Sequence, residues 1–175
     1  MALRGSAASL VIFLGATAAL ASGAVSFTMK SAKSSALGTT IVVNSAGKTL
    51  YRYRDDTKNT VKCTGACTAT WPPLLVAAGK KPVAGAGVTA SKLGTVKRSD
   101  GKTQVTYGGY ALYLYAGDSK AGDVNGQGLE GEWHAVSPSG AIVTKAASAG
   151  GAGGYGSGAA TTTTSGDTGG AGYGY

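Results

Sequence analysis

Short runs of β-branched and apolar residues, each closed by Gly, Pro, Asn or Asp, recur along this chain. Ile41-Val42-Val43 and Thr49–Tyr53 flank Asn44-Ser45-Ala46-Gly47, and Gly94–Arg98 and Thr103–Tyr107 flank Ser99-Asp100-Gly101-Lys102. Each arrangement predicts a hairpin, because two β-prone runs around turn residues favour antiparallel pairing. Ala111–Tyr115 follows Gly108-Gly109, and Val136 with Ala141-Ile142-Val143 brackets Ser137-Pro138-Ser139-Gly140 as a last hairpin. No segment sustains a helical apolar period. The expected fold class is all-β.

Sliding the chain against itself exposes a repeat at an offset of 62 residues. Leu50, Tyr51, Tyr53 and Asp56 fall on Leu112, Tyr113, Tyr115 and Asp118. Without a gap, Trp71 then falls on Trp133, and these are the two tryptophans of the protein. Two copies of one unit are therefore expected, related by pseudo-symmetry and burying apolar faces against each other. Side chains alternate along a strand, so Leu50 and Leu112 belong on one face and the Tyr-x-Tyr pairs on the other. Tyr51, Tyr53, Tyr113, Tyr115, Asp56, Asp118, Trp71 and Trp133 are thus core or inter-repeat packing, or a ligand-stacking platform between the repeats. As core, the tyrosine hydroxyls are expected to bond backbone or the Asp three or five residues on. Asp56 and Asp118 read as turn-capping acceptors.

The frame Leu-Tyr-x-Tyr-x-x-Asp is followed by Cys63-Thr-Gly-Ala-Cys67-Thr-Ala-Thr-Trp71-Pro72-Pro73-Leu74 in the first copy. In the second it is followed by Gly122-Asp123-Val-Asn125-Gly126-Gln127-Gly128, Trp133 and Pro138. From about Thr39 to Val143 the chain resembles a secreted-repeat family of bacterial lipoproteins and exported proteins of uncharacterised function. The resemblance implies a fold and an exported setting, not a reaction. Many relatives are lipid-anchored, but no Cys stands near the cleavage site of this chain, so anchoring does not carry over.

The ends differ from the middle. Arg4, an apolar stretch from Leu10 to Leu20 and the small residues Ala19-Leu20-Ala21 predict a signal peptide over 1–24. That stretch is too short to span a bilayer comfortably, so no transmembrane segment is expected. The two-repeat β domain is expected over 39–145, with repeat 1 at about 39–76 and repeat 2 at about 101–143. Residues 146–175 are rich in Gly and Tyr, carry one charge, and predict a disordered low-complexity tail. Exported cysteines meet oxidising conditions, so Cys63 and Cys67 predict a local disulfide. A redox role for the pair is the lesser alternative, since its spacing is Cys-x3-Cys.

Other chemistry finds few parts. Asp123, Asn125 and Gly128 resemble the start of a calcium loop, but position twelve is His134 where a Glu is required. Asp123, Asn125 and His134 are thus candidate metal ligands, with a glycine-rich turn as the competing reading. The single His and the absence of a Gly-x-Ser-x-Gly elbow argue against nucleophilic catalysis. No cofactor is expected. The 16 Lys and Arg against 8 Asp and Glu are scattered, which argues against a specific nucleic-acid arm and reads as a solvated basic surface, with attraction to acidic polysaccharide, cell wall or anionic membrane as the alternative that charge alone does not select. The reading is a secreted, non-catalytic extracellular or envelope protein that associates with cell wall, matrix or its own copies. Its alternative is a small-ligand or metal-binding module.

Overall fold

The computed structural model describes residues 28–148. The expected signal segment, 1–24, and all but the first three residues of the expected tail lie outside the described residues. Eight strands are present: β1 Met29–Ser34, β2 Thr39–Asn44, β3 Tyr51–Tyr53, β4 Leu75–Val76, β5 Leu93–Lys97, β6 Thr103–Tyr107, β7 Tyr110–Ala111 and β8 Trp133–Ala135. One short helix, α1 Cys67–Thr70, and two 3-10 turns interrupt them. The all-β expectation holds.

Each repeat opens on a hairpin, β1 with β2 and β5 with β6, all antiparallel. Asn44 closes the next turn of the first repeat, its Oδ1 accepting from the Ala46 and Lys48 amides at 3.0 and 2.9 Å. Gly108 and Gly109 do so in the second, both at positive φ, which a two-residue hairpin turn between β6 and β7 requires. The expected last hairpin forms through a Val136–Ile142 bridge. The linker between repeats also joins the sheet, running parallel to β1 through a Met29–Ala84 bridge.

β1 lies ahead of the Thr39 start expected from the sequence, and β5 ahead of residue 101. The strand Met29-Lys-Ser-Ala-Lys-Ser carries no sequence signal because only its two end residues are buried. Its middle positions follow no apolar alternation.

The repeats do not fold side by side. Each sends its last strand into the other. Three backbone hydrogen bonds close a ring in repeat 1: Leu50 N–H to Val42 O at 3.1 Å, Val136 N–H to Leu50 O at 3.1 Å, and Val42 N–H to Val136 O at 2.8 Å. The matching ring in repeat 2 runs Leu112 to Val105 at 3.0 Å, Leu74 to Leu112 at 2.9 Å and Val105 to Leu74 at 2.8 Å. Each ring takes two residues from one repeat and the third from the other. The six side chains, with Met29 and Tyr107, form one buried apolar cluster. Leu50 and Leu112 occupy it together, as their strand parity requires.

Candidate functional site

The opposite faces of the same strands meet at the pseudo-twofold axis. Tyr51 and Tyr113 face each other there, each amide donating to the other's carbonyl at 2.9 and 3.0 Å. β3 pairs with β8, placing Tyr51 opposite Ala135 and Tyr53 opposite Trp133. The equivalent contact joins Tyr113 to Pro73, and Leu114 N–H donates to Pro72 O at 2.8 Å. The two tryptophans are therefore carried by exchanged segments and arrive at the axis from opposite repeats.

Six aromatic rings assemble as a result. Trp71 and Trp133 stack with centroids 3.8 Å apart and planes 5° from parallel. Tyr53 stacks on Trp133 at 4.6 Å with planes 21° apart, and Tyr115 lies tilted by 36° against Trp71 at the same centroid distance. Tyr51 and Tyr113 meet Trp71 and Trp133 edge-on at 5.5 and 5.2 Å. Such pairs contribute about 0.5–1.5 kcal/mol each beyond the burial of their area. Both tryptophans are buried, while Tyr53 and Tyr115 are half-buried. The four rings form a column of successive contacts, Tyr53–Trp133–Trp71–Tyr115, with its ends towards solvent. Gly126 closes against it: an added Cβ would lie 2.8 Å from the Trp71 ring and 2.9 Å from the Tyr51 ring.

The two phenols of the inner pair cross the axis. The Tyr51 hydroxyl donates to Asp118 Oδ2 at 2.8 Å, and the Tyr113 hydroxyl to Asp56 Oδ2 at 2.7 Å. Each tyrosine therefore bonds the aspartate of the other repeat, not the one five residues on in its own. The second oxygen of each carboxylate caps a turn, Asp56 Oδ1 accepting from the Lys62 amide at 2.7 Å and Asp118 Oδ1 from the Asn125 amide at 2.9 Å. Both aspartates are thus turn caps and inter-repeat acceptors at once.

Burial raises the carboxyl of Asp56 above its ordinary range, against the Tyr113 hydroxyl, the Lys62 amide and the charges of Arg98 and Arg52. Burial likewise raises Asp118, with Asp123 adding to the shift, against the Tyr51 hydroxyl, the Asn125 amide and Lys48. The Tyr51 and Tyr113 phenols are raised too, first by burial and then by their carboxylates. They remain donors.

The remaining singled-out residues go elsewhere. Cys63 and Cys67 form a disulfide with Cα atoms 5.4 Å apart. It holds the start of α1, and closing so short a loop contributes about 2 kcal/mol on the chain-entropy model. Asp123 Oδ2 accepts from the Ser119 amide and hydroxyl and the Lys120 amide at 2.9–3.0 Å. The Asn125 side chain donates to Gly117 O at 3.0 Å. His134 lies on β8 opposite Arg52. Among the described residues, no group of three or more His, Cys, Asp or Glu could hold a metal ion. The hydrogen bonds of Asp123 and Asn125 brace the turn over residues 117–125.

Sequence reasoning missed two polar core residues. Arg98 and Gln104 are buried, the Arg98 guanidinium donating to Gln104 Oε1 and to Cys63 O, and Gln104 Nε2 donating to Leu112 O at 2.8 Å. This bridges the disulfide loop of repeat 1 to a strand of repeat 2. An Arg at a hairpin end reads as a surface charge, so no local signal marks it.

Two segments of the chain, 31–75 and 94–137, match the family model described as a secreted repeat of unknown function. Together they cover more than half of the sequence. The chain belongs to this secreted-repeat family. It is accordingly a secreted protein. No curated protein and no solved structure matches it. Each matched segment runs from inside the first strand of a repeat to the segment exchanged into the other. The sequence unit of this secreted repeat is therefore not a closed structural unit. No helix among the described residues is long and apolar enough to cross a membrane.

The crossed pairs predict a specific coupling. In double-mutant cycles on unfolding free energy, Tyr51→Phe and Asp118→Asn should couple by about 1–3 kcal/mol, while Tyr51→Phe and Asp56→Asn should be near-additive. Coupling within a repeat instead of across repeats contradicts the assignment. The raised carboxyls set a pH dependence. A carboxyl raised by folding binds its proton more tightly in the folded state. Its stabilisation is complete below the unfolded value of about 4 and is lost as pH rises through the folded values. The thermal midpoint of wild type minus that of Asp56→Asn/Asp118→Asn should therefore decrease as pH rises above about 4. A difference that increases with pH reverses the sign and refutes it.

Proposed function

We propose that this secreted repeat is a non-catalytic extracellular or envelope protein that attaches to acidic wall or matrix polymer. The observation that carries this reading is the inward turn of the carboxylates. Asp56, Asp118 and Asp123 are buried, each committed to hydroxyl or amide donors. Lys33, Lys58, Lys80, Lys81, Lys97 and Lys145 are exposed. With 16 basic and 8 acidic residues in the chain, burying three of the acids against one base, Arg98, leaves the surface more cationic than the sequence total. A cationic surface concentrates polyanions by long-range attraction.

The same commitment disfavours catalysis at the axis. The buried phenols and carboxylates satisfy one another, which leaves a rigid scaffold in place of an acid–base pair open to substrate. The Gly/Tyr-rich segment 146–175 supplies a second attachment element, through its tyrosines, to matrix or to other copies.

The test is retention of the full chain on an immobilised sulfated polysaccharide as salt is raised. Retention should be lost steeply between low and moderate ionic strength. Lys80→Glu/Lys81→Glu should elute earlier with an unchanged melting temperature. Failure to bind at low salt, or retention indifferent to salt and to the charge reversal, overturns the proposal.

A further inference from the structure

The aromatic column has a property that packing alone does not require. Its four rings run in contact between two half-buried ends, Tyr53 and Tyr115, through the parallel Trp71–Trp133 pair. Tryptophan and tyrosine are the side chains most readily oxidised by one electron. Overlapping rings at these separations let the resulting hole move between them. A tryptophan gives up an electron without needing a base, whereas a tyrosine at neutral pH must also release its phenolic proton. Beside the column stand two tyrosines supplied with such a base. Tyr51 touches Trp71 and donates to Asp118, and Tyr113 touches Trp133 and donates to Asp56.

We infer that this cluster is a one-electron relay, in which an outer-sphere metal-complex oxidant at the exposed edge of Tyr53 or Tyr115 draws an electron through the tryptophan pair from Tyr51 or Tyr113. The balance closes. The oxidant gains one electron and Trp71 becomes a radical cation. Tyr51 then returns an electron to Trp71 while its proton moves along the 2.8 Å hydrogen bond to Asp118. The products are neutral Trp71, a Tyr51 phenoxyl radical and a neutral Asp118 carboxylic acid. Reduction of the radical returns the proton. Tyr113, Trp133 and Asp56 perform the same steps across the axis.

The geometry separates this role from simple core packing. Exchanging each aspartate for asparagine keeps the side chain's shape and one acceptor oxygen for the phenol, turns the amide nitrogen towards the Lys62 or Asn125 amide, and removes the proton acceptor. Lost stability in that variant reports the turn hydrogen bonds, whereas slowed tyrosyl formation in the folded variant reports the missing proton acceptor. At low pH, protonation of Asp56 and Asp118 should have the same effect without any substitution.

The test is flash-quench oxidation by a ruthenium tris-bipyridine photosensitiser, followed by transient absorption. The protein is the full chain carrying Tyr155→Phe, Tyr173→Phe and Tyr175→Phe. A tryptophan radical should form first and decay into a tyrosyl radical. In the added Asp56→Asn/Asp118→Asn variant, tyrosyl formation should slow roughly 10²-fold, the scale of a positioned base, and the tryptophan radical should outlive it. Near-UV circular dichroism checks the fold. If that variant does not fold, Tyr51→Phe/Tyr113→Phe, which keeps both rings, is read instead and should lose the tyrosyl signal. Unchanged tyrosyl formation in a folded Asp→Asn variant, or an unchanged signal in Tyr51→Phe/Tyr113→Phe, overturns the inference.

Discussion

The exchange of one strand between repeats is the constraint on which this structure depends. Val136 completes the hydrogen-bond ring of Leu50 and Val42, and Leu74 completes that of Leu112 and Val105. Without the guest strand, each repeat would hold a buried amide and a buried carbonyl with no partner, at about 1–3 kcal/mol apiece. Neither half can therefore close alone. The apolar cluster of these six residues, Met29 and Tyr107 is common property of both repeats.

The aromatic arrangement follows from that exchange. The segments that carry Trp71 and Trp133 are the ones delivered across the axis, so the two rings arrive face to face. The same crossing sets Tyr51 beside Asp118 and Tyr113 beside Asp56. A pseudo-twofold interface makes every contact twice, as in an isologous dimer. Here one chain supplies both sides, so the dimer is held at a fixed ratio. The contribution of each contact is doubled while the association cost falls to that of closing the linker.

Much of this was legible in the residues. The offset of 62 marked the equivalence of the repeats. Strand parity put Leu50 and Leu112 on one face and Tyr51 and Tyr113 on the other, and turn chemistry located four hairpin connections. What the offset leaves open is whether equivalent contacts form within a repeat or across to its twin. Tyr51 has an aspartate five residues on in either case, so the local pattern is the same for both. β1 carries no legible pattern for a different reason, since its middle positions are half-buried or exposed and include Lys30 and Lys33. Arg98 and Gln104 sit in the core through one hydrogen bond to each other and others to the Cys63 and Leu112 carbonyls, which no hydrophobic pattern records.

Strand exchange makes the two repeats one interlocked unit. The exposed linker turn at Gly79-Lys80 allows the test, by inserting a specific protease site there and cutting the folded protein. Native mass spectrometry and near-UV circular dichroism should then show the two halves still bound one to one, with the tryptophan signal retained until denaturant is added. Halves that separate on cleavage, each keeping its own folded signal, would contradict the exchange of strands.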